Sequence, residues 1–243
     1  MQKTYKEEFL IRTCNCDMMG TWRPSAILEA MQETAGAHSA LLGLGRKALL
    51  DQGVVWVITR VEVVMDRYPK VGERISVETF PMPLRRWFFP RYYIFRDEAG
   101  NEIGCAVTLW VLLDINTRRM ARPDAYTALL PDNSDLPVPL GLPATVAEIS
   151  GTLTTAEFMP DFTDLDVNRH VNNTKYMDWC VNALGIDTME TNELARFDVN
   201  YNMEIRPSQQ VRTELRRLGD EFSFSGFVGD ERHFDVGGVL RAR

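Results

Sequence analysis

The sequence predicts an α+β protein made of two tandem units, each an antiparallel sheet laid against one long helix. Two observations carry this. FLIRTCNCDMMGTWRPSAILEAM (9–31) aligns without a gap on FMPDFTDLDVNRHVNNTKYMDWC (158–180), at an offset of 149. Each copy is followed by segments that alternate apolar and polar residues with period two, bounded by Gly, Asp, Asn or Pro.

Within each copy the order is strand, turn opened by Asp, helix. Phe9 meets Phe158, Asp17 meets Asp166, and the apolar pair Ile27 and Leu28 meets Tyr176 and Met177. The helix over 25–42 places Ile27, Ala30, Met31, Thr34 and Ala35 at helical spacing. Next, RVEVVMDRYPKVGERISVETF (60–80) parallels RFDVNYNMEIRPSQQVRTEL (196–215). Both open on Arg, alternate, turn at a Pro and alternate again. Hairpins turning at DEAGN and at GDER close the two halves. About four strands therefore follow each helix. The expected organisation is a first unit at 1–125, a proline-rich linker at 126–150 and a second unit at 151–243.

Composition bounds the function. The chain has 243 residues, 45% of them hydrophobic, which is enough for a substantial core. A formal charge of −7 argues against a general nucleic-acid binder. Cys14 and Cys16 have neither zinc-knuckle nor thioredoxin-like spacing, and no HExxH or paired CxxC occurs, so neither metal nor cofactor is expected. MQKTYKEEFLIRT has no apolar signal core and no transit-like composition, and no apolar run is long enough to span a membrane. The expectation is a cytoplasmic, bacterial protein, monomeric or homodimeric.

The copies differ at one place. DVNRHVNN (166–173) is polar where its counterpart is not: Asn168 faces Met19, His170 faces Thr21 and Asn173 faces Pro24. The first copy turns without these groups, so the turn itself does not require them. In extended chain, Asp166, Asn168 and His170 would point to one side. The N–H groups of the following helix would suit a developing oxyanion. Asn172 and Asn173 are read either as substrate contacts or as plain turn residues.

DLDVNRHVNNTKYMDW, together with VVWVITRVEVVMDRYPKVGERISVETF and IRTCNCDMMGTWRPSAILEAMQETA, resembles the acyl-acyl-carrier-protein thioesterases of plants and bacteria over nearly the whole chain. That resemblance implies a tandem (double) hotdog fold, no cofactor, and hydrolysis of fatty acyl-carrier protein to fatty acid and carrier thiol. It implies catalytic roles for Asp166, Asn168, His170 and, within YNMEIRP, Glu204. Many plant members place a Cys directly after this Glu; here the residue is Ile205. Cys180, on the apolar face of the following helix, reads as a buried hydrophobe. Asp166 and Glu204 are both candidate bases, and direct attack by a carboxylate is an open alternative. The resemblance places the acyl chain in the first half, with Met18, Met19 and Trp22 as pocket-floor candidates. Ala26, Ala30, Ala35, Gly36 and Ala37 leave either room for the chain or close helix-to-sheet packing. An acidic carrier would need basic groups, which Arg85, Arg86 and Arg91, or Arg118, Arg119 and Arg122, could supply. Alternatives are an acyl-coenzyme A hydrolase, a hotdog dehydratase and a non-catalytic acyl- or carrier-binding module.

Overall fold

Alternation with period two gives a strand one face for a core and one for its other side. In the computed structural model, which describes residues 1–243, such segments form ten strands in two compact units, Met1–Pro143 and Ala144–Arg243. The first unit holds β1 (Tyr5–Leu10), α1 (Pro24–Leu41), α2 (Arg46–Leu50), β2 (Val54–Met65), β3 (Arg74–Pro81), β4 (Phe89–Asp97), β5 (Glu102–Asp114) and α3 (Asp124–Thr127). The second holds β6 (Thr152–Phe158), α4 (Lys175–Leu184), α5 (Ile186–Thr191), β7 (Asn192–Tyr201), β8 (Val211–Leu218), β9 (Glu221–Val228) and β10 (Glu231–Ala242). The strand orders are β1-β3-β4-β5-β2 and β7-β10-β9-β8-β6, antiparallel within each unit. Taken in chain order within each unit, these are one and the same topology. The repeat seen in the sequence is thus a repeat of fold.

Pro24 opens α1, where a missing N–H costs nothing. Ala26, Ile27, Ala30, Met31 and Ala35 are buried, whereas Gly36 is exposed on the outer side. In the second unit Tyr176 of α4 stacks on Phe234 of β10 at 4.4 Å, and Phe234 packs on Phe224. Gly226 permits this: a Cβ there would lie 1.9 Å from the Phe234 ring.

The proline-rich stretch 126–150 covers the outer sheet faces. Leu136 and Leu140 pack on Phe80, Tyr92 and Val107 of the first unit, and Asn133 donates to the carbonyls of Lys3 and Pro81. In the second unit Ile149 N–H donates to Ser223, while Glu148 pairs with Arg216 and Arg232. The boundary at Pro143 falls inside this stretch. No helix is long and apolar enough to cross a membrane.

Arg91 corrects one expectation. With Phe89, Tyr93 and Phe95 it shares the parity of β4 that faces inward, and it is only 7% exposed, so it cannot meet an acidic carrier. Its Nη1 donates to His38 Nδ1 (3.2 Å) and Thr79 (3.3 Å), and its Nη2 to Ser39 (3.4 Å). His38 Nε2–H then donates to Gln2 carbonyl (3.2 Å), and the ring stacks on Tyr5. Burial, reinforced by the Arg91 charge, lowers the His38 pKa from 6.5 to about 4. Between those values the unfolded chain binds a proton that the folded chain does not, so folding loses stability as pH falls from 6.5 towards 4. The loss is up to about 3 kcal/mol. His38→Gln should flatten this part of a Tm-against-pH curve; an unchanged slope would refute the assignment.

Candidate active site

A single 3-10 turn, Phe162–Asp164, leads into the polar stretch. Asp166–Arg169 then turns tightly, so the expectation of an extended run with three side chains on one side is corrected. Asp166 carbonyl accepts from Arg169 N–H (2.9 Å), and Arg169 takes φ 62°. Asp166 Oδ1 accepts the N–H groups of Asn168 (2.8 Å) and His170 (3.4 Å), and Oδ2 accepts Asn168 Nδ2 (3.2 Å). Asp166 N–H donates to His170 carbonyl at 2.8 Å.

The first copy repeats the backbone bonds one for one, while Asp17 Oδ2 accepts the Thr21 hydroxyl in place of the Asn168 amide. Thr13–Asn15 is a 3-10 turn, Asp17 Oδ1 accepts the N–H groups of Met19 and Thr21 (both 3.0 Å), and Asp17 N–H donates to Thr21 carbonyl (2.9 Å). Gly20, at φ 73°, stands where Arg169 does. Both turns are tied down one residue later, by Trp22 N–H to Pro69 carbonyl and by Val171 N–H to Ile205 carbonyl (2.9 Å each). The carboxylate therefore builds the turn in both halves, and the second half adds Asn168 and His170 to the same scaffold.

The tie to Ile205 brings in the segment after β7. Glu204 Oε1 lies 3.4 Å from His170 Nε2, joining two groups far apart in sequence. The same oxygen accepts Arg206 Nη2 (2.7 Å) and Nε (3.2 Å). From β10, His233 Nδ1 bonds the Glu204 carbonyl at 3.1 Å, and His233 carbonyl accepts the N–H groups of Asn202 and Met203. His233 thus braces the segment carrying the carboxylate. Tyr176 lies beneath: burial, then the Asp166 and Glu204 charges, push its phenol up, against a hydrogen bond to the Ile205 backbone.

Other expected site residues fall elsewhere. Asn172 Oδ1 accepts Thr174 N–H and Oγ1–H, and its carbonyl accepts Lys175 N–H. Asn172 is therefore a turn residue, and those two amides at the start of α4 are taken, which corrects their expected use for an oxyanion. Asn173 carbonyl receives the Tyr201 hydroxyl (3.1 Å). Trp22 is buried and packs edge-on to Phe95. Met18 and Met19 are 70% and 44% exposed on the turn and do not form a floor. Cys180 is fully buried and burial raises its thiol pKa, which suppresses the nucleophilic thiolate. Ile205 is fully buried. Arg85 and Arg86 are exposed at the β3–β4 hairpin tip beside Trp87, itself 46% exposed; Arg118, Arg119 and Arg122 are exposed after β5.

Two like-folded units define a tandem hotdog protein, and one of them bears a polar turn joined to a carboxylate. The profile described as the acyl-ACP thioesterase N-terminal domain matches residues 2–129, and that of the C-terminal domain matches residues 148–229. The chain belongs to the acyl-ACP thioesterase family. A chloroplastic palmitoyl-acyl carrier protein thioesterase of Gossypium hirsutum is 30% identical over 221 residues, which is 82% of this chain and 52% of that one. A chloroplastic oleoyl-acyl carrier protein thioesterase of Coriandrum sativum is 27% identical, over 86% of this chain and 61% of the other. The chain thus spans between half and two thirds of the length of these relatives. Among solved structures, an acyl-ACP thioesterase of Bacteroides thetaiotaomicron superposes with a TM-score of 0.90 at 22% identity, covering 98% of each chain. A 12:0-ACP thioesterase of Umbellularia californica gives 0.81 at 22% identity, covering 99% of this chain and 98% of the other. At these identities the two structures establish the fold.

Proposed function

We propose that this protein hydrolyses fatty acyl-acyl carrier protein to a free fatty acid and the carrier thiol, using the second unit for the chemistry. The observation that carries this reading is the His170–Glu204 contact at 3.4 Å, built on a turn whose other copy lacks both Asn and His. Family membership supports the substrate class.

In the proposed reaction Glu204 and His170 hold a water and take its proton as its oxygen attacks the thioester carbon. Asn168, oriented by its amide bond to Asp166, donates to the carbonyl oxygen as negative charge develops there. The tetrahedral intermediate collapses, the C–S bond breaks and the thiolate recovers the proton, which passes from Glu204 to His170 across their contact. Asp166, with its oxygens already accepting turn hydrogen bonds, positions Asn168 and His170.

The first unit is proposed to house the acyl chain beneath α1, with Trp22 in its interior. Arg85 and Arg86, at an exposed tip beside Trp87, are proposed to meet the acidic carrier, with Arg118, Arg119 and Arg122 as a second cluster. Reversing Arg85 and Arg86 to Glu should raise KM for acyl-carrier protein about tenfold or more and leave a small acyl thioester within about twofold. Equal effects on both substrates would remove the docking role.

The test of function is hydrolysis of acyl-carrier proteins and matched acyl-coenzyme A esters by wild type and Asn168→Ala. Carrier-preferring turnover lost in the variant is the expected result. Equal turnover of both thioesters would favour an acyl-coenzyme A hydrolase, and none would favour a binding module.

A further inference from the structure

Glu204 Oε1 receives two hydrogen bonds from one guanidinium and faces His170 with the same oxygen. We infer that Arg206 is a positioning residue: it keeps the Glu204 carboxylate ionised and turned towards His170, and so sets the pH at which the base becomes competent. This rests on the reading of Glu204 as the base.

The arrangement is held from both ends. Arg206 N–H donates to Gln209 Oε1 (2.6 Å), Gln209 N–H returns to Arg206 carbonyl (3.3 Å), Pro207 fixes its own φ, and Ser208 turns the chain at φ 65°. The root of the Arg206 side chain is therefore tethered, although the side chain itself is 61% exposed. The Glu204 backbone is pinned by His233 from β10. The ionisable groups near Glu204 include His170 on the turn and Arg206 on its own segment, both at the carboxylate, Tyr176 on α4, which feels the charges of both Glu204 and Asp166, and His233 on β10, at the Glu204 carbonyl. Arg206 alone among them carries a permanent positive charge. Asp166 carries a negative charge of its own, and His170 favours a second one only when protonated, the form that cannot accept a proton from water.

A cation at hydrogen-bond distance favours the ionised carboxylate. Removing it should move the acidic limb of the kcat/KM profile to higher pH, and reversing it should move the limb further. The expected order of the limb, from low to high pH, is wild type, Arg206→Lys, Arg206→Gln, Arg206→Glu. Near neutral pH, Arg206→Gln should lose about three- to tenfold in kcat with KM within about twofold, and Arg206→Lys should recover most of the loss. A surface pair without a role in catalysis would leave the profile in place.

The experiment is the pH dependence of thioester hydrolysis by this series, beside 13C NMR titration of the Glu204 carboxyl in the labelled full chain, assigned with Glu204→Gln. The ordered displacement in both readouts supports the proposal. A carboxyl titration that stays fixed in Arg206→Gln and Arg206→Glu overturns it, whether or not thioesters turn over. If the carboxyl moves and the kinetic limb does not, Arg206 tunes Glu204 but the base lies elsewhere, so the reading of Glu204 fails instead. A change confined to KM would assign Arg206 to substrate binding and end the positioning role.

Discussion

Glu204→Gln should lower kcat on acyl-carrier protein by roughly a hundred- to ten-thousandfold and leave the thermal unfolding midpoint close to wild type. Gln has the size and shape of Glu, and its amide oxygen can still accept from Arg206, so the segment after β7 keeps its anchors. What disappears is the negative charge 3.4 Å from His170 Nε2 and the ability to take a proton. KM should change little, because the carboxylate acts on the water rather than on the acyl chain. His170→Ala should show a loss of the same class. The double variant should be no worse than the poorer single one, since the two groups work on one proton. Retention of more than about a tenth of kcat by Glu204→Gln would move the base elsewhere, with Asp166 next in line. Single turnover in 18O water detects direct attack by a carboxylate wherever the resulting anhydride opens at the enzyme carbonyl. Label in the enzyme carboxyl with an unlabelled first fatty acid would establish the direct route through water attack at the enzyme carbonyl; label in the fatty acid alone is common to the water route and to water attack at the acyl carbon of an anhydride.

Much of this architecture is readable in the sequence, because a duplicated fold supplies its own control. The repeat at an offset of 149 located the turn in both halves, and helical spacing gave α1 as 25–42 against the observed Pro24–Leu41. Residues that match between copies are structural, and residues that differ are free for chemistry. What stayed hidden is long-range or depends on side-chain direction. The approach of Glu204 to His170 depends on Val171 N–H finding Ile205 carbonyl, a backbone contact that no side-chain pattern encodes. Arg91 is different: its inward direction follows from alternation with Phe89, Tyr93 and Phe95, a parity that counting the arginines as one basic cluster passes over. The stretch 126–150 has prolines but no period, so a linker and a cover for the sheet faces look alike until Leu136, Leu140 and Ile149 find their partners.

The second large effect concerns Asp166, and the other copy is its control. Asp17→Ala and Asp166→Ala each strip the acceptor from two backbone N–H groups of one and the same turn. Each should cost about 1–2 kcal/mol, discounted for partial exposure, and lower Tm by a few degrees. Activity should separate them. Asp17→Ala leaves the second unit intact and should keep nearly full turnover. Asp166→Ala releases Asn168 and His170 together and should lose roughly a hundredfold or more in kcat, since displacement of about 1 Å is enough for losses of that size. Asp166→Asn decides between positioning and base. Its amide keeps an oxygen for the two N–H groups but turns an NH2 towards the Asn168 NH2, which forces one amide to flip. If Asp166 only positions, Asp166→Asn should be clearly more active than Asp166→Ala, and its acidic limb should remain, because that limb belongs to Glu204. Exchanging the pair, as Asp166→Asn with Asn168→Asp, restores a donor facing an acceptor and should regain Tm without regaining rate, because the carbonyl then faces a carboxylate. If Asp166 is the base, Asp166→Asn will be as inactive as Asp166→Ala and the acidic limb will vanish with it. The reason to expect the first outcome lies in the first copy of the turn, where Met19 and Thr21 stand in place of Asn168 and His170: there Asp17 accepts the same two backbone N–H groups, so the turn alone is enough to require an Asp at this position.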